Sequence, residues 1–90
     1  MAKRIAVLVR ERLEEGLRVA VGLTLAENQV EVFILDCTAV RTPPAAAYLD
    51  ALREVGAPVA TTCAANADLE LLSPAAVGRR VLRCDHILPY

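Results

Sequence analysis

Two apolar runs constrain the fold of this chain more than any other feature: the first is nearly continuous, and the second alternates with polar residues before it becomes apolar. Residues 4–9 read RIAVLV, and residues 29–36 read QVEVFILD. Branched apolar residues in unbroken runs are typical of strands that are buried on both faces, as in a parallel sheet. The intervening residues 10–27 are apolar at helical spacing, at Leu13, Leu17, Val21 and Leu25. The opening third therefore predicts a strand–helix–strand unit.

The middle of the chain repeats this unit. Thr42 is a good N-cap, Pro43 suits the first helical position and Gly56 suits the end of a helix. An apolar stripe between them marks a second helix, and its residues are Ala45, Leu49, Leu52 and Val55. Residues 58–63 (PVATTC) then predict a third strand, and residues 64–72 (AANADLELL) predict a further helix or a turn and a half of one.

Two interpretations of residues 73–90 stay open. Ser73 and Pro74 can begin a helix that runs to about Arg83 and leaves residues 85–90 as a short last strand. Alternatively, residues 79–88 form one longer strand. The helical stripe of Val77, Val81 and Leu82 favours the first, whereas Gly78 in the middle of that helix counts against it.

The order β-α-β-α-β-α-β defines the predicted fold class. Parallel strands joined by right-handed helical crossovers place helices on both faces of the sheet. We therefore expect one domain over residues 1–90, a small three-layer α/β sandwich with a four- to five-stranded, mainly parallel sheet. In such folds, ligands bind beyond the carboxyl ends of the strands.

Composition points to contacts with other copies. Of the 90 residues, 56% are hydrophobic but only 3% are aromatic, and the second half of the first helix is apolar around most of its circumference. A small domain has too little interior to bury so much apolar surface, so we expect a homo-oligomer.

The net charge is −1, from 10 basic and 11 acidic side chains. Such a balance gives no basic surface for nucleic acid or for an anionic membrane. The first apolar run is too short for a secretory signal or a membrane span, because charges resume at Arg10. We therefore expect a cytoplasmic protein that binds neither nucleic acid nor a membrane.

The three cysteines, at positions 37, 63 and 84, are an odd number at wide spacing and include no CxxC pair. This pattern disfavours a disulfide framework and a zinc ribbon. Cys84 and His86 could share one strand face, but two ligands are too few for a metal site. Nucleotide-binding and hydrolase motifs are missing too, so we expect neither a metal nor a cofactor.

Cys63 is the candidate catalytic residue. It follows the third strand, where a helix N-terminus would favour a thiolate. Thr61 and Thr62 beside it, and Asp36 at the end of the second strand, are candidate binding residues. The alternative is that Cys63 only fills the core, as buried cysteines often do. We expect Cys37 to pack, because the adjacent Asp36 disfavours a thiolate there.

Three segments carry a resemblance to the DsrE/DsrF-like sulfur-relay family, which includes the TusB, TusC and TusD subunits. Residues 3–36 are similar to the first strand, helix and second strand of that family. Residues 48–72 are similar to its helix and cysteine-ended strand, and residues 83–90 resemble its closing strand. The resemblance implies a flavodoxin-like topology and trimers or hexamers, formed by copies of this chain or with related DsrE-like subunits. It also implies persulfide sulfur carried on Cys63 between donor and acceptor proteins.

Two alternative functions remain at this point. Some members of that family lack the cysteine and serve as structural subunits, so a non-catalytic interaction subunit is the first alternative. The second is a STAS-like regulatory module, which residues 33–59 faintly resemble, with Thr38 as the modified hydroxyl. STAS-like domains open with a β-hairpin, whereas residues 10–27 here predict a helix.

Overall fold

A computed structural model describes residues 3–90, so the first two residues of the predicted domain lie outside the described part. Its strands are β1 (Arg4–Val9), β2 (Gln29–Ile34), β3 (Val59–Thr61), β4 (Glu70–Leu71) and β5 (His86–Pro89). Its helices are α1 (Leu13–Leu25), α2 (Pro43–Glu54) and α3 (Pro74–Val81).

The five strands form one sheet in the order β4-β3-β2-β1-β5, and each pair of neighbours is parallel. The predicted α/β class, with a five-stranded mainly parallel sheet, is confirmed. The strand order differs from the flavodoxin-like order 2-1-3-4-5 that the resemblance implied. Here β2 and β3 step outward from β1 in one direction, and β5 returns to the other side of β1.

Helices cover both faces of this sheet, as predicted. One hydrophobic cluster joins α1 and α2 to one face through residues that include Val7, Val32 and Leu17. A smaller cluster packs Val77 of α3 against Phe33 on the other face. The two faces therefore have separate cores, and β1 and the second half of β2 are apolar at consecutive positions because alternate residues serve each core.

The predicted caps of α2 and α3 are present. Thr42 Oγ1 accepts a hydrogen bond from the backbone N–H of Ala45 at 3.3 Å, and Ser73 Oγ accepts one from Ala76 at 3.1 Å. Gly56 follows α2 with φ +76°, a left-handed conformation that glycine adopts without strain. The helix at Pro74–Val81 with a separate β5 confirms the first interpretation of the tail.

The helix predicted within residues 64–72 is wrong. Turns occupy the first part of this segment, and β4 then pairs Glu70 with Ala60 and Leu71 with Thr61. The N–H of Leu72 also donates to the carbonyl of Thr61 at 2.8 Å. Pairing along the open edge of β3 satisfies backbone groups that a helix would leave unpaired, and this outweighs the helical propensity of Ala and Leu.

Candidate functional site

The carboxyl edge of the sheet brings the predicted site residues of two strands together. Asp36 and Cys37 follow β2, and Thr62 and Cys63 follow β3, its hydrogen-bonded neighbour. Arg10 follows β1 at the same edge. Cys63 is not at the start of a helix, because turns follow it. The prediction that a helix dipole stabilises the Cys63 thiolate is therefore wrong.

The edge between β1 and β5 is closed by Tyr90. In parallel sheets, the crevice where the strand order reverses is the usual ligand site, and here it lies between these two strands. The Tyr90 carbonyl accepts from the N–H groups of Glu11 and Arg12, at 3.2 and 2.8 Å. The Arg12 guanidinium also lies 5.3 Å from the centre of the Tyr90 ring. The candidate site is consequently the next part of the same carboxyl edge, at the ends of β2 and β3.

Asn66 connects the two loops at that edge. Its side-chain amide donates to the carbonyl of Cys37 and to Thr61 Oγ1, both at 2.9 Å. Its carbonyl oxygen accepts from the N–H of Ala39 at 2.8 Å. Asn66 is only 5% exposed, so these bonds replace water that its amide would otherwise bind. Asn66 therefore fixes the loop after β2 relative to the loop after β3.

Thr61 supports the loops and does not face solvent. Its side chain is fully buried, and its hydroxyl donates to the carbonyl of Ile34 at 2.8 Å. The same oxygen accepts from Asn66 and from the N–H of Cys63, the latter at 3.0 Å. One donor and two acceptor positions are all that a hydroxyl has, so Thr61 has none left for a ligand. Its role is to position Cys63.

Thr62 and Asp36 bind each other. Thr62 Oγ1 accepts from the N–H of Asp36 at 2.9 Å and donates to Asp36 Oδ1 at 3.2 Å. Asp36 has φ 56°, and this pair of bonds helps to hold its left-handed backbone. The Asp36 carboxylate is exposed and keeps acceptor positions open, and the half-buried Thr62 hydroxyl keeps one, so of the predicted binding residues Asp36 has the most capacity to accept hydrogen bonds from a partner.

Both cysteines at this edge are half-buried free thiols. Cys37 packs against the α1–α2 core, as predicted. Burial raises the pKa of the Cys37 thiol, and the negative charges of Cys63 and Asp36 raise it further. The structure therefore places beside Cys63 a second thiol that resists ionisation.

A cleft of about 450 Å³ opens next to Cys37, between the loop after β1 and the loop after β2. Its walls carry both signs of charge, including Arg10, Arg12, Glu11 and Glu14. Mixed charges give no preference for an anionic or a cationic small molecule. The cleft gives reagents access to Cys37 without indicating a ligand class.

Sequence reasoning missed the role of Asn66. An asparagine within a short polar turn is usually solvated, and position alone does not show that it is buried. The available signal was its place three residues after a strand-end cysteine, where its side chain can reach backbone groups of a neighbouring loop.

Cys84 and His86 lie at the opposite edge of the sheet. Cys84 Sγ contacts Glu31 Oε2 at 3.9 Å, and burial is the largest cause that raises its pKa. His86 Nε2 lies 3.4 Å from the Lys3 ammonium nitrogen. Among residues 3–90, no group of three or more His, Cys, Asp or Glu side chains is arranged to hold a metal ion.

No known family model, curated protein or solved structure matches this chain. In the described part of the chain, every helix is too short or too polar to cross a bilayer.

Proposed function

We propose that the protein carries sulfur on Cys63 within an intracellular sulfur relay, in the cytoplasm. The observation that supports this most directly is a half-buried free cysteine at the carboxyl edge of a parallel sheet, whose backbone N–H donates to the buried Thr61 hydroxyl. Reactive cysteines are partly exposed, whereas fully buried ones are inert, and ligands of parallel sheets bind at this edge. The resemblance to DsrE/DsrF-like proteins adds the chemistry of persulfide transfer.

The transfer needs only thiol chemistry. The Cys63 thiolate attacks the outer sulfur of a donor persulfide, forms a new S–S bond and releases the donor as a thiolate. An acceptor thiolate then attacks the outer sulfur of the Cys63 persulfide and releases Cys63. The chain's own contribution is positional, because Thr61 and Asn66 fix the backbone of Cys63, and the residue itself is only half-buried.

Intact mass after incubation with a low-molecular-weight persulfide tests this role. We expect the wild-type chain to gain the mass of one sulfur atom, and Cys84→Ser to gain it equally. Cys63→Ser should gain none. A wild-type chain that gains no sulfur, or a Cys63→Ser variant that gains as much, would contradict the proposal.

A non-catalytic role as an oligomeric subunit is the second candidate. Leu25 at the end of α1 is 78% exposed, and Leu82 after α3 is 85% exposed. Exposed large apolar side chains favour contact with another chain. We expect a homo-oligomer, a trimer or hexamer by the resemblance, and light scattering after gel filtration measures its mass. A monomer at high protein concentration would contradict this candidate.

The STAS-like alternative loses its structural basis. That fold needs a β-hairpin near the start of the chain, whereas Leu13–Leu25 is helical. Thr38 is exposed, but no feature around it indicates phosphorylation.

A further inference from the structure

Cys37 and Cys63 lie at the ends of two adjacent parallel strands. Ile34 of β2 is paired with Thr61 of β3, and the N–H of Thr62 continues the pairing by donating to the carbonyl of Ile34 at 3.1 Å. Cys37 comes three residues after Ile34, and Cys63 comes two after Thr61. Neighbouring strands lie about 4.8 Å apart, and disulfides join Cα atoms about 4.4–6.8 Å apart.

Asn66 holds the two cysteine backbones together. The Cys37 carbonyl accepts from the Asn66 amide at 2.9 Å, the same amide donates to Thr61 Oγ1 at 2.9 Å, and this oxygen accepts from the Cys63 N–H at 3.0 Å. The central Asn66–Thr61 bond is buried and the two outer bonds are partly buried, and of the two cysteines only main-chain atoms take part. The bridge therefore fixes the separation of the two backbones without engaging either sulfur atom.

Cys84 provides a contrast within the same chain. Its Sγ is hydrogen-bonded to Glu31 Oε2 at 3.9 Å and to the Arg80 carbonyl at 3.8 Å. Among the bonds of residues 3–90, none engages the Sγ of Cys37 or Cys63. Cys84 also lies at the amino edge of the sheet, where the adjacent Asp85 N–H donates to the carbonyl of Arg4. It is therefore out of reach of the other two thiols.

We propose that Cys37 and Cys63 form a reversible intramolecular disulfide, with a low-molecular-weight disulfide such as oxidised glutathione as the oxidant. The Cys63 thiolate attacks one sulfur of the oxidant, forms a mixed disulfide and releases one reduced thiol. The Cys37 thiol then loses its proton to water, and the resulting thiolate attacks the Cys63 sulfur and releases the second half of the oxidant as a thiolate, which takes up a proton. The two cysteines are oxidised by two electrons, and the oxidant is reduced by two.

The order of these steps follows from the surroundings of the two thiols. The pKa of Cys37 is raised by burial, by Cys63 and by Asp36, so Cys37 is a poor first nucleophile in water. Once Cys63 is in the mixed disulfide, its negative charge is removed, and one cause of the raised pKa of Cys37 disappears. Attack by Cys37 on the neighbouring sulfur is then intramolecular, which favours it over attack from solution. The oxidised chain has no Cys63 thiol to receive sulfur, so the bond would also switch off the proposed carrier.

Oxidation by glutathione disulfide, followed by mass spectrometry, tests the proposal without a persulfide donor. Failure of the carrier function therefore leaves this result unaffected. Trypsin places Cys37, Cys63 and Cys84 on separate peptides, residues 19–41, 54–79 and 84–90. We expect the oxidised wild-type chain to lose the mass of two hydrogen atoms and to link the first two peptides. Dithiothreitol should reverse both changes, and Cys84→Ser should behave like wild type.

The single variants separate the two steps. Cys37→Ser should stop at a stable glutathione adduct on Cys63. In Cys63→Ser, glutathione should add to Cys37 much more slowly than it adds to Cys63 in Cys37→Ser. Circular dichroism checks that each variant is folded. A wild-type chain that keeps glutathione adducts without linking the peptides would overturn the proposal, as would a link that involves Cys84 or three thiols that stay fully alkylatable.

Discussion

The side-chain amide of Asn66 donates a hydrogen bond to the hydroxyl of Thr61 at 2.9 Å, and both side chains are buried, at 5% and 0% exposure. This contact connects the end of β3 to the turn that follows it. The same amide reaches the Cys37 carbonyl in the loop after β2. The geometry of both cysteines therefore depends on one asparagine.

Replacing Asn66 should destabilise the fold and loosen this edge. Asn66→Ala leaves the carbonyl of Cys37 and the N–H of Ala39 without their partner. Each unsatisfied buried group costs about 1–3 kcal/mol, so we expect the free energy of unfolding to fall by about 2–4 kcal/mol. Urea unfolding measures it.

Asn66→Asp is the matched variant. It keeps an oxygen that accepts from Ala39 but loses both donors and brings a carboxylate next to the Cys37 carbonyl. We expect destabilisation at neutral pH that lessens in acid, where protonation removes the charge and restores one donor. Unfolding midpoints equal to that of the wild-type chain for both variants would contradict the role assigned to Asn66.

Local signals in the sequence predicted the helices well. The caps at Thr42 and Ser73, and the left-handed Gly56, act through neighbouring residues, so their effect can be recognised from a few letters. Segment 64–72 could not be predicted in this way. Its conformation depends on pairing with β3, a long-range contact that outweighs local propensity.

Part of the candidate site could be predicted from the sequence, but its arrangement depends on long-range contacts and could not. The apolar runs place Cys37 and Cys63 at the ends of parallel strands, but they do not give the strand order. Only the order shows that β2 and β3 are neighbours and that Tyr90 closes the edge next to β1. The burial of Asn66 depends on that arrangement, because loops from two strands have to meet around it.

Gly16 is required by close packing at the start of α1. A Cβ at this position would lie 2.8 Å from Val9 Cγ2 and 3.2 Å from Tyr90 Cβ. Because Val9 is fully buried and cannot move freely, we expect Gly16→Ala to destabilise the fold by about 1–3 kcal/mol. Gly78→Ala is the control, since no atom lies within 4 Å of the added Cβ. It should stabilise α3 by about 0.5–1 kcal/mol, the usual helical gain. Thermal melts that rank the two variants the other way would refute this account.

Arg80 joins α3 to the sheet through a partly buried ion pair. Its Nη2 lies 2.8 Å from Glu31 Oε1, its Nη1 lies 3.0 Å from Glu70 Oε1, and its guanidinium lies 5.6 Å from the centre of the Phe33 ring. Arg80→Met leaves the Glu31 carboxylate unpaired while keeping most of the apolar stem. We expect a loss of about 1–3 kcal/mol, toward the low end of values for buried pairs because both side chains keep some exposure.

The double variant Arg80→Met/Glu31→Gln separates the pair from the packing. Removing both charges should recover part of the lost stability, because the partly buried Glu31 carboxylate is gone and the Glu70 carboxylate that has also lost Arg80 is exposed to water. A double variant that unfolds as easily as the sum of the two single variants would show that the residues do not interact.

Asp68 should contribute to acid sensitivity. A hydrogen bond from Arg41, at 2.6 Å between Nη2 and Oδ1, is the main cause that lowers its pKa. A lowered pKa adds stability above the unfolded value of about 3.9, and this stability is lost as pH falls through the folded pKa. We expect the urea midpoint of Asp68→Asn to fall less than that of wild type between about pH 5 and pH 2. Glu54→Gln, at an exposed residue at the end of α2, serves as the control for a general charge effect.

The raised pKa of Cys37 should appear in its reaction with iodoacetamide, which modifies only the thiolate. Burial is the largest cause, followed by the charges of Cys63 and Asp36. We expect the half-point of Cys37 alkylation against pH to lie above the ordinary value of about 8.5. Asp36→Asn and Cys63→Ser should each move it down, whereas Asp50→Asn, at an exposed position in α2, should leave it in place.

The same shift gives a prediction for stability in alkali. The folded chain holds the Cys37 proton more tightly than the unfolded chain, so stability falls as pH rises above the unfolded pKa of about 8.5. Cys37→Ala removes this proton from both states, and its unfolding midpoint should therefore fall less between about pH 8 and pH 10. Peptide mapping of the alkylated chain assigns the change in alkylation to Cys37, and urea unfolding measures the change in stability. Equal alkylation profiles for Asp36→Asn and wild type, together with equal alkaline slopes for Cys37→Ala and wild type, would show that the Cys37 thiol ionises as an ordinary one.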